Sequence, residues 1–144
     1  MTATLFILNG PNLNLLGTRE PEIYGTTTLA EIEAACVEKA REHGLAVDFR
    51  QTNHEGVLVD WLHEAHEAGA KAVIINAAAY THTSIALLDA AKAIPPPVIE
   101  VHLSDPATRE AFRHRSFIGE AALQCFKGRG LASYLDAIEA AGAL

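Results

Sequence analysis

Two polar side chains that could move a proton lie two residues apart near the end of an apolar segment. Glu100 and His102 belong to the stretch Val98–Leu103, which follows the proline run at 95–97. Side chains alternate in direction along a strand, so Glu100 and His102 share one face. A carboxylate beside an imidazole orients the ring and supports its protonated form, which makes His102 a candidate general acid. The alternative is an exposed Glu-Val-His triplet on an edge strand.

A tyrosine and an arginine five residues apart could supply the matching base. Tyr24 alone is a poor base at neutral pH, because a tyrosine pKa is about 10. A guanidinium such as that of Arg19, within hydrogen-bond reach, favours the phenolate. Lowering the pKa by two to three units takes roughly 3–4 kcal/mol of differential interaction, which Arg contacts in a closed site can supply. Taken alone, however, such a pair is more often a core tyrosine and a surface arginine.

Segments that resemble strands and helices alternate along the chain. Five segments are predicted as strands, from short apolar runs or from alternation of apolar and polar residues: Thr4–Leu8, 45–49, Ala72–Ile75, Val98–Leu103 and 121–126. Helices are predicted after Thr28, after Asn53, over 84–94 and over Leu131–Ala141. Thr28 and Glu31 form a capping-box pattern, and Gly44 and Gly69 are the predicted stops of the first two helices.

This alternation predicts an α/β fold of the flavodoxin-like type, with a five-stranded parallel sheet of order 2-1-3-4-5 and helices on both faces, in one domain over residues 1–144. Ligands of such sheets bind outside the carboxyl ends of the strands, where polar residues of this chain collect: Asn9, Asn76, Glu100, His102 and Ser104. The connection over residues 9–27 exceeds the usual length of about 2–6 residues, which indicates a loop that covers the site.

Composition and charge exclude several classes of function. The formal net charge is −7, and the seven Arg and four Lys form no basic stripe, so no nucleic-acid partner is expected. No apolar run approaches the roughly 20 residues of a membrane span, and no secretory signal is visible at the start. Cys36 and Cys125 lie in apolar segments without an activating partner, and we interpret them as buried thiols of a cytoplasmic protein.

No metal or cofactor site emerges from the sequence. The run His63-Glu64-Ala65-His66-Glu67 lacks the HExxH spacing that places two histidines one helical turn apart, and a solvated helix face is the better interpretation. The segment Gly128-Arg129-Gly130 is too short to cradle a phosphate and is predicted as a turn.

Several segments carry a family resemblance that covers essentially the whole chain. The longest reads Leu8-Asn9-Gly10-Pro11-Asn12-Leu13-Asn14-Leu15-Leu16-Gly17-Thr18-Arg19-Glu20-Pro21-Glu22-Ile23-Tyr24-Gly25 and resembles the signature of the type II dehydroquinases. Three further matches are Phe49–Gly56, Tyr80–Ser84 and Val98–Ser104, and a weaker one is Arg109–Ser116. The resemblance implies dehydration of 3-dehydroquinate to 3-dehydroshikimate, a step of the shikimate pathway or of quinate breakdown, without a cofactor or metal.

The resemblance also assigns roles. It implies that Tyr24 removes the proton next to the ketone, that Arg19 holds Tyr24 as phenolate, and that Asn12 stabilises the enolate; a turn residue is the other interpretation of Asn12. The matching substrate contacts are Asn76, His82 and Arg113, with the backbone N–H groups of Leu103 and Ser104 near a helix start for the carboxylate. Asp89 resembles a residue that approaches a neighbouring subunit's site, in a homododecamer built from trimers.

Four residues depart from the family pattern. Ala77-Ala78 stand where Pro-Gly is expected, so Ala78 could tighten the pocket and weaken substrate binding. Asp105 replaces the usual Asn and adds negative charge near a bound carboxylate, while Arg115 replaces a usual His and could compensate. These changes bear on affinity rather than on reaction type. A family member that has lost activity is therefore one alternative.

A non-catalytic binding module on the same fold is the other alternative. A receiver domain would need an Asp cluster after strand one, where Asn9 stands, and Lys127 has no acidic cluster to serve. A flavin binder would need a hydroxyl-rich phosphate loop, whereas residues 9–18 offer Asn, Leu and Pro. Visible absorbance of the pure protein separates the flavin binder from the enzyme.

Overall fold

The computed structural model describes residues 2–18 and 20–144, without the side chains of Ile23 and Tyr24. Five parallel strands form one sheet of order β2-β1-β3-β4-β5, as predicted. The strands are β1 (Thr4–Asn9), β2 (Ala46–Gln51), β3 (Ala72–Asn76), β4 (Val98–Val101) and β5 (Gln124–Phe126). The helices are α1 (Pro21–Tyr24), α2 (Leu29–Glu42), α3 (Glu55–Glu67), α4 (Ile85–Ala93) and α5 (Leu131–Gly142).

Alternate strand residues fill two apolar cores, one on each face of the sheet. On β1, Leu5 and Ile7 belong to the core under α2 and α5, while Phe6 and Leu8 belong to the core under α3 and α4. Strands covered on both faces must be apolar throughout, which is why their sequences show continuous apolar runs. No helix among the described residues is long and apolar enough to cross a membrane.

The predicted helix starts rest on side-chain caps. The Thr28 hydroxyl accepts from the backbone N–H of Glu31, and the Glu31 carboxylate accepts from that of Thr28, so the capping box is present. The Ser84 hydroxyl accepts from the Leu87 backbone N–H at 2.9 Å and caps α4. These bonds satisfy N–H groups that the first turn of a helix leaves without partners.

The structure corrects several predicted boundaries. Strand β4 ends at Val101 rather than Leu103, although the His102 N–H still donates to the Phe126 carbonyl. Strand β5 covers only 124–126, because the N–H groups of Ala121 and Ala122 donate to the Ile118 carbonyl in a turn. The helix start expected near Ser104 is a three-residue 3₁₀ turn, Pro106–Thr108, capped by the Asp105 side chain. The helix α1 was not predicted.

The long connection after β1 is anchored to the fold at its beginning. A 3₁₀ turn over Leu13–Leu15 places Leu13 and Leu16 in the core under α2. Gly10 crosses the chain after β3 so closely that a Cβ there would lie 2.5 Å from the Ala77 carbonyl oxygen. Only glycine fits this crossing, which fixes the loop that begins at the carboxyl end of β1.

Candidate active site

A cavity of about 520 Å³ opens at the carboxyl ends of β1, β3 and β4. This volume includes space that is open to solvent at the mouth of the cavity. The predicted residues on its lining are Asn12, Asn76, His82, His102, Leu103, Ser104 and Arg113. Tertiary structure therefore brings together residues from the loop after β1, the turns after β3, the end of β4 and the segment beyond it.

Of the four other predicted residues, two fall outside what the structure describes and two lie outside this cavity. Arg19 lies outside the described residues, and so does the side chain of Tyr24, whose backbone ends α1. Asp89 is exposed on α4, outside the cavity. Glu100 lies behind His102 and lines a second, adjoining cavity of about 530 Å³.

The charge of the first cavity is opposite to that of the whole chain. Its lining includes Arg109 and Arg113, and its described lining residues include no Asp or Glu. The chain as a whole carries a formal charge of −7. A cationic cavity on an acidic protein attracts and holds an anion, because low-dielectric walls strengthen the local field.

His102 is held by a buried carboxylate. The ring Nε2 of His102 lies 2.6 Å from Oε2 of Glu100, and both residues are buried, at 7% and 3% exposure. A carboxylate accepts, so Nε2 carries the proton of this bond and Nδ1 is the other ring nitrogen available for chemistry. The predicted pairing on one strand face is therefore present as a direct hydrogen bond.

A serine that the sequence had not singled out completes this pair. The Ser116 hydroxyl donates to Oε2 of Glu100 at 2.7 Å and accepts from the Gly119 N–H at 2.9 Å. Burial alone would raise the pKa of Glu100, but the hydrogen bonds from His102 and Ser116 and the charge of His102 hold it below its ordinary value. Glu100 is therefore ionised at neutral pH. Only its place in the Arg109–Ser116 resemblance could have pointed to Ser116.

His82 is poised as an acceptor. Its Nδ1 lies 2.8 Å from the Arg115 carbonyl oxygen, which can only accept, so Nδ1 carries the hydrogen. Burial lowers the pKa of His82, and the nearby charges of His102 and Arg113 lower it further. The hydrogen bond to the Arg115 carbonyl raises the pKa but does not outweigh these effects. The neutral ring that results has a lone pair on Nε2, which suits a hydroxyl donor in the cavity.

A group of amide side chains fixes the loop that carries Asn12. Asn12 has a left-handed backbone with φ of 70°, and its N–H donates to Oδ1 of Asn53 at 3.0 Å. Gln51 donates from Nε2 to the Gly10 carbonyl at 3.1 Å and to the same Asn53 oxygen at 3.2 Å. The end of β2 therefore holds the start of the loop in place. The sequence showed these residues only as part of the resembling stretch Phe49–Gly56.

A buried network holds Asn76 at the floor of the cavity. Tyr134 is fully buried and donates to Oδ1 of Asn9 at 2.6 Å, while Nδ2 of Asn76 donates to the Tyr134 hydroxyl at 3.0 Å. Oδ1 of Asn76 accepts from the Ala78 N–H at 3.1 Å. These bonds join the ends of β1 and β3 to α5 and fix the orientation of the amide.

The positions that depart from the family pattern have clear structural settings. Asp105 caps the turn Pro106–Thr108, and its carboxylate lies 3.6 Å from Nζ of Lys127, so that ion pair offsets its charge. Arg115 stacks on the Phe117 ring at 4.2 Å and is not the compensating partner that the sequence suggested.

Ala78 has a left-handed backbone, with φ of 52°. This conformation strains an alanine but not a glycine, which is the residue that the family pattern has at this position. We expect Ala78→Gly to raise the free energy of unfolding by up to about 1 kcal/mol, because relief of roughly 1–2 kcal/mol of strain exceeds the entropic cost of glycine. Urea unfolding of both proteins measures this, with Ala79→Gly as the control that lacks positive φ and should lose stability. A less stable Ala78→Gly protein would contradict the strain.

Two groups of possible metal ligands differ in their setting. His63 and His66 are exposed on α3, as expected for a solvated helix face. Glu100, His102 and Cys125, in contrast, place one donor atom each within 4.8 Å of one another.

The interpretation of Cys125 as a buried thiol is wrong, since Cys125 is exposed, whereas Cys36 is buried as expected. Strand β5 is an edge strand and leaves Cys125 uncovered.

Comparison with known proteins identifies one family. The family model described as Dehydroquinase class II matches residues 3–142. The 3-dehydroquinate dehydratase of Maricaulis maris is 62% identical, with 98% of this chain and 96% of that protein aligned. The 3-dehydroquinate dehydratase of Caulobacter vibrioides is 57% identical, with 98% and 96% aligned. The crystal structure of the type II dehydroquinase from Propionibacterium acnes superposes with a TM-score of 0.95 at 42% identity, covering 100% of this chain and 99% of that one.

Proposed function

Because the chain belongs to the class II dehydroquinase family, we propose that it dehydrates 3-dehydroquinate to 3-dehydroshikimate. The substrate is a cyclic hydroxy-keto acid that carries a carboxylate and several hydroxyls. The observation that supports this best is the cationic cavity in which His102 is hydrogen-bonded to the ionised Glu100. Such a cavity binds the anion and supplies a proton for a departing hydroxyl. The reaction serves the shikimate pathway or quinate breakdown.

The first step in this proposal is removal of the proton next to the ketone. Tyr24 is the base and Arg19 holds it as phenolate, as the family resemblance implies. Both belong to the connection between β1 and α2, whose first part is fixed by Gln51 and Asn53. Anchoring the base-bearing loop at its start favours a reproducible distance between phenolate and substrate, on which the rate of proton transfer depends.

The enolate that forms needs a donor at its oxygen. Asn12 lines the cavity, and its backbone is held by Asn53, so its amide can donate there directly or through a water. His102 then protonates the departing hydroxyl, since hydroxide is a poor leaving group. Base and acid come from different segments, the loop after β1 and the end of β4. They can therefore act on opposite faces of the ring, which favours anti elimination.

The remaining predicted residues hold the substrate. Neutral His82 accepts from a substrate hydroxyl at Nε2, and Asn76 keeps a second amide hydrogen for another, since an amide nitrogen has two. Arg113, whose Nε pairs with Glu110 at 3.0 Å, adds positive charge to the lining of the cavity. The backbone N–H groups of Leu103 and Ser104 are proposed to bind the carboxylate.

One ultraviolet assay tests the reaction. Incubation with 3-dehydroquinate should produce the absorbance of a conjugated enone, because the product places its double bond next to the ketone. The protein heated to unfolding is the control. If the intact protein produces no such absorbance, it is a family member that has lost activity, the alternative raised by Ala77-Ala78 and Asp105.

The proposed mechanism excludes a lysine Schiff base. We expect borohydride in the presence of substrate to leave the mass and activity unchanged. A Schiff base forms only on a desolvated lysine amine in the site, and the first cavity is lined by none of Lys39, Lys71, Lys92 and Lys127. Lys127 lines the second cavity, so a Lys127→Met variant is the control for any adduct. A covalent adduct on a lysine of the wild-type protein would overturn proton abstraction by Tyr24.

We also propose that the enzyme is a cytoplasmic homododecamer built from trimers, in which Asp89 approaches a neighbouring subunit's site. Asp89 is exposed on α4, as that role requires, and both cysteines are free thiols, which suits a reducing compartment. Light scattering is expected to report a particle far heavier than one 15.4 kDa chain. A monomer at working concentration would contradict the assembly and leave Asp89 without a site to reach.

A further inference from the structure

The second cavity contains a group of three different donor side chains beside the proposed acid. Its lining includes Glu100, His102 and Cys125. Glu100 and Cys125 are partners in the parallel register of β4 and β5, so their side chains point to the same face. His102 follows on that face two residues after Glu100. A carboxylate oxygen, a ring nitrogen and the thiol sulfur consequently lie within 4.8 Å of one another.

We propose that Glu100, His102 and Cys125 form an inhibitory site for a soft divalent cation such as Zn²⁺ or Cd²⁺. One sulfur, one nitrogen and one oxygen ligand suit these cations, and three protein ligands leave a fourth position open to the cavity. A metal ion bound here would inhibit the enzyme and not assist it, because the proposed reaction uses no metal. The binding inference stands on this geometry, and only its inhibitory effect rests on the proposed function.

The distances require little movement. Zinc bonds are about 2.0–2.2 Å to oxygen or nitrogen and about 2.3 Å to sulfur, so tetrahedral ligand atoms stand roughly 3.3–3.7 Å apart. The Glu100 oxygen and His102 nitrogen are now 2.6 Å apart and must separate slightly, while the sulfur moves inward. Because β5 is an edge strand, the Cys125 side chain has room to adjust.

Among the described residues, the second cavity is lined by one carboxylate, Glu100, and by two cations, Arg113 and Lys127, each paired with a carboxylate. Charge therefore favours a metal ion only once the thiol proton has left. Glu100 is already ionised, whereas partial burial and the charge of Glu100 raise the pKa of the Cys125 thiol to about 12. Binding therefore exchanges a proton for the metal: the S–H bond breaks, an S–metal bond forms, and the proton passes to solvent. Any proton on the coordinating His102 nitrogen is released in the same way. Lys127 is paired with Asp105, which reduces its repulsion of the cation.

Occupancy would stop catalysis by removing the acid. A cation on Nε2 of His102 prevents the imidazolium from forming, so a proton left on Nδ1 is too weakly acidic to protonate a departing hydroxyl, and Glu100 can no longer orient the ring toward a substrate. Inhibition should be reversed by a chelator, and chelator alone should leave the rate of the purified enzyme unchanged or raise it. Since protons compete with the metal, binding should tighten as the pH rises.

A cadmium titration of the full chain tests the site. Wild-type protein should develop an ultraviolet thiolate-to-cadmium charge-transfer band that saturates at one equivalent, with loss of activity in parallel. The Cys125→Ser protein should show no band and need at least roughly tenfold more cation for half inhibition, because even the loss of a residue that only orients a metal ligand costs about 10–100-fold in affinity. Cys36→Ala is the matched control, since it removes the other thiol and should behave as wild type.

The outcomes separate the possible failures. A band that persists in Cys125→Ser, or equal inhibition of both proteins, would overturn the site, as would wild-type protein that binds no cadmium. Cys125→Ala provides a second variant, and activity without cation shows that each variant is folded. A saturating wild-type band in a protein that does not dehydrate 3-dehydroquinate would support the metal site and reject the proposed function.

Discussion

A Tyr24→Phe protein is expected to fold normally and to lose roughly 10²–10⁴-fold in kcat, the contribution of a positioned general base. The substitution removes one oxygen, and phenylalanine keeps the shape of the ring. Binding should change little, because the proposed substrate contacts are His82, Asn76 and Arg113. The enone absorbance assay measures kcat, and circular dichroism reports the fold.

The matched control for this experiment is Tyr80→Phe. The Tyr80 hydroxyl donates to the Asn53 carbonyl at 2.8 Å, close to the same loop, but Tyr80 does not line the cavity. Its loss should reduce kcat far less than the loss of the Tyr24 hydroxyl. A Tyr24→Phe protein that keeps a tenth or more of wild-type kcat would remove Tyr24 from the role of base.

Replacement of His102 by Asn is expected to reduce kcat by roughly 10²–10⁴-fold relative to the wild type. Asparagine keeps a polar side chain but cannot give up a proton at neutral pH. Glu100→Gln should also reduce kcat, since the neutral amide no longer supports the protonated imidazole. Near wild-type turnover by His102→Asn would assign the acid to another group.

The pH dependence of Ser116→Ala distinguishes positioning from a purely structural role. The Ser116 hydroxyl stabilises the Glu100 carboxylate, so its loss should raise the pKa of Glu100 from its lowered value. Glu100 in the variant is then protonated at a higher pH than Glu100 in the wild type. The acid limb of its pH–rate profile should therefore move to higher pH. An unchanged limb together with reduced stability would mean that Ser116 supports only the turn at Gly119.

Short-range patterns in the sequence were sufficient for the architecture. Continuous apolar runs predicted the buried strands, and the Thr28–Glu31 pattern predicted the start of α2. The topology then placed Asn76 and His102 at one edge of the sheet, where both line the cavity. These features depend on residues a few positions apart and on rules common to parallel sheets, so no knowledge of distant contacts was needed.

The family resemblance, rather than periodicity, selected the individual site residues. Tyr24 and Arg19 remain predictions, because Arg19 and the side chain of Tyr24 lie outside the described residues. The left-handed backbone of Asn12 agrees with its interpretation as a turn residue and leaves its amide role to be tested. Both interpretations of Asn12 can hold together, since the backbone makes the turn and the residue also lines the cavity.

Tertiary structure alone decided what surrounds the proposed acid. The sequence established that Glu100 and His102 share a face, because that follows from the two-residue period of a strand. It did not show that Ser116 donates to Glu100, or that Cys125 lies beside it rather than in the core. Those contacts depend on the register of β5 against β4 and on the turn before β5. The hydrophobic pattern limits which face each side chain of a strand takes, but which residue of β4 lies opposite Cys125 also depends on packing between residues distant in the chain.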